Sequence, residues 1–545
     1  MSSVENVDTT PRVAVLDSAH VGDIRGAFGT IRQGDVAPRS GWWARLKTLL
    51  VILGPGLIVM VGDNDAGAFG TYTQAGQNYG TSLLWTLLLL IPVLYVNQEM
   101  VLRLGAVTGV GHARLILERF GKFWGAFSVI DLFLLNALTI VTEFIGISLA
   151  LNYLGVPRLE GVIASAALIM AAASTGDFRK FERFSLILCF GSLLLVPIYV
   201  FAHPSFGRVA HGLLMPQFPG GANLSDVMML IIGIVGTTVA PWQLFFQQSY
   251  VIDKRITPRF MSYERADLWI GIGFVMVGAI AMMAFCAATF GGHAEFGNFS
   301  DAGAISVGLE KYVGRLPAVL FAIALIDASI IGASAVSLST AYAISDVLSL
   351  RHSLHRKVTD AKGFYAVYCG LIVVAAALVL TPGTPLGLLT NAVQTLAGVL
   401  LPSATVFLLL LCNDKAVLGP WVNGRYLNLF TGAVIAILIM LSIILTASVL
   451  YPGISGGTIV GILAGGSLLA LSIAALVWIS NRHRGQQAEQ QVDRTKQATW
   501  RMPPLTELSP PRLSLLNRTG MIVLRGYLVV AAGLVLVRIV QLALS

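Results

Sequence analysis

Charge is what this sequence has least of. Only 12% of its 545 residues are Asp, Glu, Lys or Arg, where a soluble domain carries roughly a quarter. With mean hydropathy at +0.77, water is excluded as the main solvent. Cysteine is scarce too: Cys189, Cys286, Cys369 and Cys412 all lie in or beside apolar runs and never at a metal-ligand spacing. A disulfide framework and a zinc site are thereby excluded. The apolar runs lack the polar-apolar alternation of a membrane barrel. The first 45 residues lack the short apolar core of a signal peptide and read as a disordered cytoplasmic tail.

What is present is a series of apolar runs, each about as long as the roughly 20 helical residues that cross a 30 Å hydrocarbon core. Helices are the form expected there, because a helix satisfies its own backbone hydrogen bonds in lipid. The runs fall at about 48–71, 81–104, 124–153, 160–176, 184–202 and 227–250, then 267–291, 316–345, 363–382, 386–412, 427–452 and 458–480, with a last one near 520–542. Basic residues follow every second span, among them Arg114, Arg179, Lys254, Arg351, Lys415 and Arg482, while the intervening loops are neutral or acidic. The net charge of +8 therefore reads as membrane topology and not as a nucleic-acid footprint, with the N-terminus inside. All eight histidines are assigned to loops or tails, which leaves no imidazole inside the membrane to carry a proton near neutral pH.

A charge in the hydrocarbon costs at least about 2.5 kcal/mol, so the few present are functional candidates. They are Asp63, Asp65, Asp131, Glu143 and Asp327, with Glu99 and Asp267 placed at span ends. The first span reads LGPGLIVMVGDNDAGAFG, with Gly62, Gly67 and Gly70 around two carboxylates. On a regular helix Asp63 and Asp65 would point about 200° apart, so only an unwound segment can turn both inward. In the sixth span Gly236, Thr237, Thr238 and Pro241 interrupt the apolar run, and the proline frees carbonyls near Thr237 and Thr238. Spans one and six each open a group of five. Five is odd, so the second group is inverted, which is the architecture of a secondary transporter with a midplane site at the two breaks. Asp131 and Asp327 read as structural hydrogen-bond partners, and Glu143 is left open.

The residues resemble the NRAMP metal-ion transporters. GPG at 54–56, Asp65 with Gly67, QAG at 74–76, LLW at 83–85, RLG then VTG within 103–109, GTTV at 236–239 before Pro241, and Gln394 ahead of Pro402 keep that family's order. The resemblance implies an all-α polytopic membrane protein with a LeuT-type inverted repeat. Its units are 46–202 and 203–412, after the tail at 1–45. Accessory helices at 413–480, a polar linker at 481–519 and an extra helix at 520–545 follow. It implies multi-pass insertion in the cell membrane, a divalent metal ion as substrate and the lipid bilayer as the other partner. No cofactor, enzyme activity, nucleic acid or obligate protein partner is implied.

Departures from the family sharpen the expectation. Its D-P-G-N is Asp65, Ala66, Gly67 and Ala68 here, its M-P-H is Ala240, Pro241 and Trp242, and its second histidine is Gln247. A family aspartate three residues before Glu143 is Ile140. Without thioether and imidazole the site favours a hard, partly hydrated ion. The expected ligands are Asp65, Asp63, backbone oxygens at Thr237, Thr238 and Ala240, and the amides of Gln247 and Gln394, with Trp242, Ala68 and Gly67 as cavity wall. This looks like the magnesium-carrying NRAMP relatives, with Mg²⁺ or Mn²⁺ as substrate and proton coupling weak or absent. The alternatives are a proton-coupled Mn²⁺ or Fe²⁺ carrier, and an organic-solute symporter or a metal sensor on the same fold.

Overall fold

The computed structural model describes residues 14–383, 393, 397, 402–451, 454–484, 497–511 and 515–544. α1 (Trp42–Ile52), α2 (Pro55–Gly62) and α3 (Ala66–Tyr79) form the first span in three pieces. α4 (Trp85–Thr108), α5 (His112–Phe120), α6 (Lys122–Tyr153), α7 (Arg158–Ala173), α8 (Phe178–Gly191) and α9 (Leu195–Ala202) complete the first unit. After α10 (Phe206–Leu214) comes a second broken span, α11 (Leu224–Thr238) and α12 (Pro241–Asp253). Then follow α13 (Met261–Phe290), α14 (Ala302–Tyr312), α15 (Arg315–Val347), α16 (Lys362–Leu380) and α17 (Pro402–Cys412). α18 (Lys415–Leu418), α19 (Arg425–Leu450), α20 (Gly456–Arg484) and α21 (Leu515–Leu544) close the chain.

Among the described residues nine helices are long and apolar enough to span, or eleven if each bent pair counts as one. The twelve or thirteen spans expected include α7, whose 16 residues fall short of the roughly 20 that a 30 Å core asks. The centre of the bundle is the pairing of α6 with α15. It is close because α15 presents Gly332, Ala333, Ser334, Ala335 and Ser337, all buried, and small residues let helix backbones approach. A methyl added to Gly146 of α6 would lie 2.6 Å from Ala66 Cβ and 2.7 Å from Ser329 Oγ.

The GPG motif has its own physical account. Gly54 sits at φ 152, a conformation that glycine adopts without strain, and the chain bends 51° between α1 and α2. Asp267 accepts the N–H groups of Gly54, Gly56 and Leu57 at 3.2, 2.6 and 3.2 Å. Lys254 Nζ donates to the carbonyls of Ile52 and Leu53 at 2.6 and 2.8 Å and to Glu182 Oε1 at 2.6 Å. Asp267 is thus fully buried and caps α2, rather than lying at the interface. Glu99 is buried as well, paired with Arg103 at 3.3 Å and Arg265 at 2.7 Å.

The tail read as disordered is ordered from residue 14. A one-turn 3₁₀ helix (Ser18–His20) leads into an antiparallel hairpin, β1 (Ile24–Gly26) with β2 (Gly29–Ile31), laid on the face that carries the loop arginines and lysines, here called the basic face. The expectation failed because its contacts are made by Arg179, Arg183, Arg255, Arg259 and Arg356, far away in sequence. Part of the polar linker is held there too: Met502 is fully buried, its N–H on Val107 O at 3.2 Å. His112 is also corrected. It starts α5, buried, with Nδ1 2.9 Å from Gln248 Oε1.

Lys254 and Glu182 are fully buried, so Lys254→Met strands a carboxylate and should cost about 3–5 kcal/mol, read as a large fall in melting temperature in detergent. For His352, burial opposes the charged form, but the Asp346 carboxylate 2.9 Å from Nε2 outweighs it, aided by Leu350 O, and its pKa is pushed up to about 9. That contribution is complete below the ordinary 6.5 and disappears as pH rises through about 9. His20 runs the other way, lowered by burial with Asp253 offsetting part, so its contribution is present above 6.5 and lost on acidification. Thermal stability should therefore peak near pH 6.5 and fall toward pH 9, and Asp346→Asn should flatten the alkaline limb.

Candidate functional site

Between α2 and α3 three residues leave the helix. The Asp63 and Asn64 N–H groups close short turns on Met60 O (3.3 Å) and Val61 O (3.1 Å), and Asp65 is the extended N-cap of α3. Asp65 Oδ1 accepts from Ala68 N at 2.9 Å, so the carboxylate stands at the start of a helix, where backbone N–H groups and the dipole favour negative charge. Ala66 N–H is taken by Glu143 Oε2 at 3.1 Å, which sets the Glu143 carboxyl group beside Asp65, its Oε1 buried without a partner.

The sixth span breaks for the reason its proline gives. The α11 ladder ends with Val239 N–H on Val235 O at 3.0 Å. Ala240 is extended, and Pro241 has no N–H for the carbonyl of Thr237. Beside this break lies a cavity of about 50 Å³ lined by Asp65, Gly67, Thr139, Thr142, Thr237, Ala240, Trp242 and neighbours. Roughly 10–15 Å³ is enough for one water, so there is room for an ion with part of its hydration shell. Gly67, Gly70, Gly233, Gly236 and Thr237 keep some exposure, and all lie on α3 and α11, the half-helices that run to the neutral and acidic loops, here called the neutral face. Toward the basic face Trp242, Phe246 and Tyr250 fill the space, at 1%, 0% and 0% exposure.

The expected residues therefore divide. Asp65, Thr237, Ala240, Gly67 and Trp242 line one cavity. Asp63 does not: its Oδ1 accepts from Gln243 Nε2, whose Oε1 accepts from Gln98 Nε2 at 2.7 Å, and its Oδ2 is buried without a partner. The Thr238 hydroxyl lies off the cavity, 2.7 Å from Tyr72 Oη and 2.6 Å from Ile234 O, and its carbonyl, the expected ligand, faces Gln243 Nε2 at 3.5 Å. Ala68 contributes its N–H and no wall. Gln247 is fully buried on α12 off the cavity, both amide atoms unpartnered. Gln394 lies outside the described residues. Asp131 and Asp327, expected as hydrogen-bond partners, each leave one buried oxygen without one.

Sequence reasoning missed Gly332, Gln98 and Gln243. A methyl on Gly332 would stand 2.9 Å from Glu143 Cδ and 3.0 Å from Asp65 Cβ, so that glycine fixes how closely α15 backs the carboxyl pair. Its one signal was a glycine amid small residues, which many membrane helices share. The two glutamines were visible only as amides inside apolar runs.

An all-helical bundle with two broken spans meeting at a carboxylate defines an alternating-access carrier architecture. The natural resistance-associated macrophage protein-like family model, Nramp, matches residues 56–448. A Ralstonia nicotianae protein named "Divalent metal cation transporter MntH" is 32% identical over 399 residues, 70% of this chain and 86% of the relative. One of that name from Burkholderia ambifaria is 27% identical over 413 residues, covering 73% and 88%. Among solved structures, the Eremococcus coleocola manganese transporter superposes with TM-score 0.64 at 21% identity, over 85% of this chain and 98% of that one. This chain belongs to the Nramp family, a family of transporters and not of enzymes.

Crowding the carboxyl pair is a direct test of the site. Gly332→Val should cost about 1–3 kcal/mol by overpacking and reduce metal uptake more than the melting temperature loss explains. Gly370→Val, at a glycine with open space around it, is the control.

Proposed function

We propose that this chain carries a hard divalent cation across the cell membrane, with Mg²⁺ as first candidate, from the cavity at the two breaks to the basic face, which is taken as cytoplasmic. The observation that carries the proposal is the donor chemistry of that cavity. A carboxylate at Asp65, the hydroxyl of Thr237 and the carbonyl freed at Thr237 by Pro241 are all oxygen, with no sulfur or imidazole among the described lining residues. Oxygen ligands with retained water suit Mg²⁺ and also Mn²⁺, whereas Met and His favour softer ions. The alanine at 240 leaves the room that a reluctantly dehydrated ion needs. The amide of Gln247, unpartnered one helical stretch below, supports a further polar stop on the way through, and Gln394 is proposed as another.

A second reading, proton-coupled uptake of Mn²⁺ or Fe²⁺, is favoured by one specific contact. Glu143 Oε2 takes the N–H of Ala66, next in the chain to Asp65, so a second carboxyl group stands at the site to exchange a proton when a metal ion binds Asp65. The names of the relatives, divalent metal cation and manganese transporters, support manganese as the metal in this reading.

Purified protein in proteoliposomes, with an internal metal-sensitive dye and a parallel pH dye, separates the two. Mg²⁺ entry without acidification, reduced at least about tenfold in Asp65→Ala, is the expected result. Mn²⁺ entry with acidification, the acidification alone lost in Glu143→Gln, would overturn the magnesium reading in favour of the second. No divalent entry in the unmodified protein would sink both.

A further inference from the structure

The N-terminal segment has no part in ion binding, yet it is bonded to both five-helix units at the mouth of the closed side. Asp17 takes Arg356 Nη2 at 2.5 Å and Nε at 3.0 Å, and the N–H of His352 at 2.9 Å. Arg255 Nε donates to Ala19 O at 2.9 Å, and Arg259 Nη2 to Ala37 O at 3.0 Å. Those partners belong to the second unit. In the first unit, Ala27 N–H sits on Glu182 Oε2 at 2.5 Å, and Arg183 Nε donates to Ala27 O at 2.9 Å. Gly26 packs so closely on the backbone of Val51 in α1 that no side chain fits between them.

His20 is the residue that reaches deepest. It is 8% exposed, its ring edge-on to His352 at 5.0 Å, with Nε2 3.6 Å from Asp253 Oδ1 and both nitrogens buried without a hydrogen bond. Asp253 ends the half-helix that carries Trp242, Phe246 and Tyr250, the side chains filling the path from the cavity. The same carboxylate ties that half-helix to Tyr342 Oη at 2.6 Å, Ser353 Oγ at 2.5 Å and Leu354 N at 2.8 Å. One short segment thus covers the end of α12, the hinge between α1 and α2 and the loop after α15, the pieces that must separate for an ion to leave on this side.

We propose that residues 14–37 form a strap that holds the basic-face gate shut in the state seen here, and that its release from Asp253 and the 352–356 loop accompanies opening of that gate. This rests on the reading of the chain as an alternating-access carrier, in which one group of helices rocks against the other. A strap bonded to both groups stabilises whichever state brings its two docking sites together, so its loss shifts the population toward the other. The proposal concerns the gate and not the identity of the ion.

The test uses the full chain in proteoliposomes, with Ser353→Cys as reporter. That serine is fully buried on Asp253 beneath His20. A membrane-impermeant maleimide on the basic face should label the introduced thiol slowly when no other residue is changed. Labelling should be at least about tenfold faster in Asp17→Ala/His20→Ala, a population shift worth about 1.4 kcal/mol. Arg356→Met, which breaks the same ion pair from the other side, should act alike and serves if the first variant folds poorly. For Mn²⁺ entering from the neutral face, the half-saturating concentration should rise by the factor by which the state open to that face is depleted, with maximal rate retained. Unchanged labelling and unchanged half-saturation in both variants would overturn the strap, as would a fall in maximal rate alone, which marks a static structural part. Faster labelling with no metal entry in any variant keeps the strap and overturns the carrier reading.

Discussion

In hydrocarbon an unpaired backbone N–H or carbonyl costs several kcal/mol, so a helix can break there only if something else satisfies the freed groups. The first span breaks twice. At the Gly54 hinge, the freed carbonyls of Ile52 and Leu53 go to Lys254 and the freed N–H groups to Asp267, with Glu182 neutralising the lysine. At Asp65 the N–H groups go to Asp65 itself and to Glu143. The two repairs differ in consequence. The first uses charges that are buried and mutually paired, and it makes a stiff hinge. The second leaves the Asp65 carboxylate, with Glu143 beside it, at the edge of a cavity of about 50 Å³.

That placement explains the packing behind the site. Gly332 and Gly146 are small because the carboxyl pair and the start of α3 occupy the volume a side chain would need. The asymmetry of access follows from the sixth span. Its upper half, α11, lines the cavity with glycines and Thr237, while its lower half, α12, is buried along its whole length and blocks the path with Trp242, Phe246 and Tyr250. The N-terminal hairpin and Asp17 lie over the end of that lower half, so closure on the basic side is built from aromatic filling beneath and a polar cover above.

Much of this was legible in sequence. Apolar run length gave the helices, loop charge gave a consistent alternation, and glycine and proline at 62–70 and 236–241 marked the two breaks, because those residues act on the backbone locally. The place of Asp65 at the cavity was legible for the same reason, as a carboxylate in hydrocarbon at a break. Asp63 looked equivalent on that evidence and is not. Which of two carboxylates in an unwound turn faces a cavity depends on what stands opposite, and here Gln243 holds Asp63 away. Gln247 likewise lies off this cavity, since correspondence of position along α12 does not fix which side of the helix faces it.

The sequence by itself determined that the chain lives in a membrane as helices, that two spans break at matching places, and that a carboxylate stands at the first break. These are properties of local composition and of backbone chemistry, carried by residues next to one another. Only the tertiary structure decided that Glu143 takes the N–H of Ala66 beside Asp65, that Lys254 and Asp267 fix the Gly54 hinge, and that residues 14–37 fold against the basic face. Each of those rests on partners separated by tens to hundreds of residues, whose meeting depends on how the helices pack and not on any pattern within one of them.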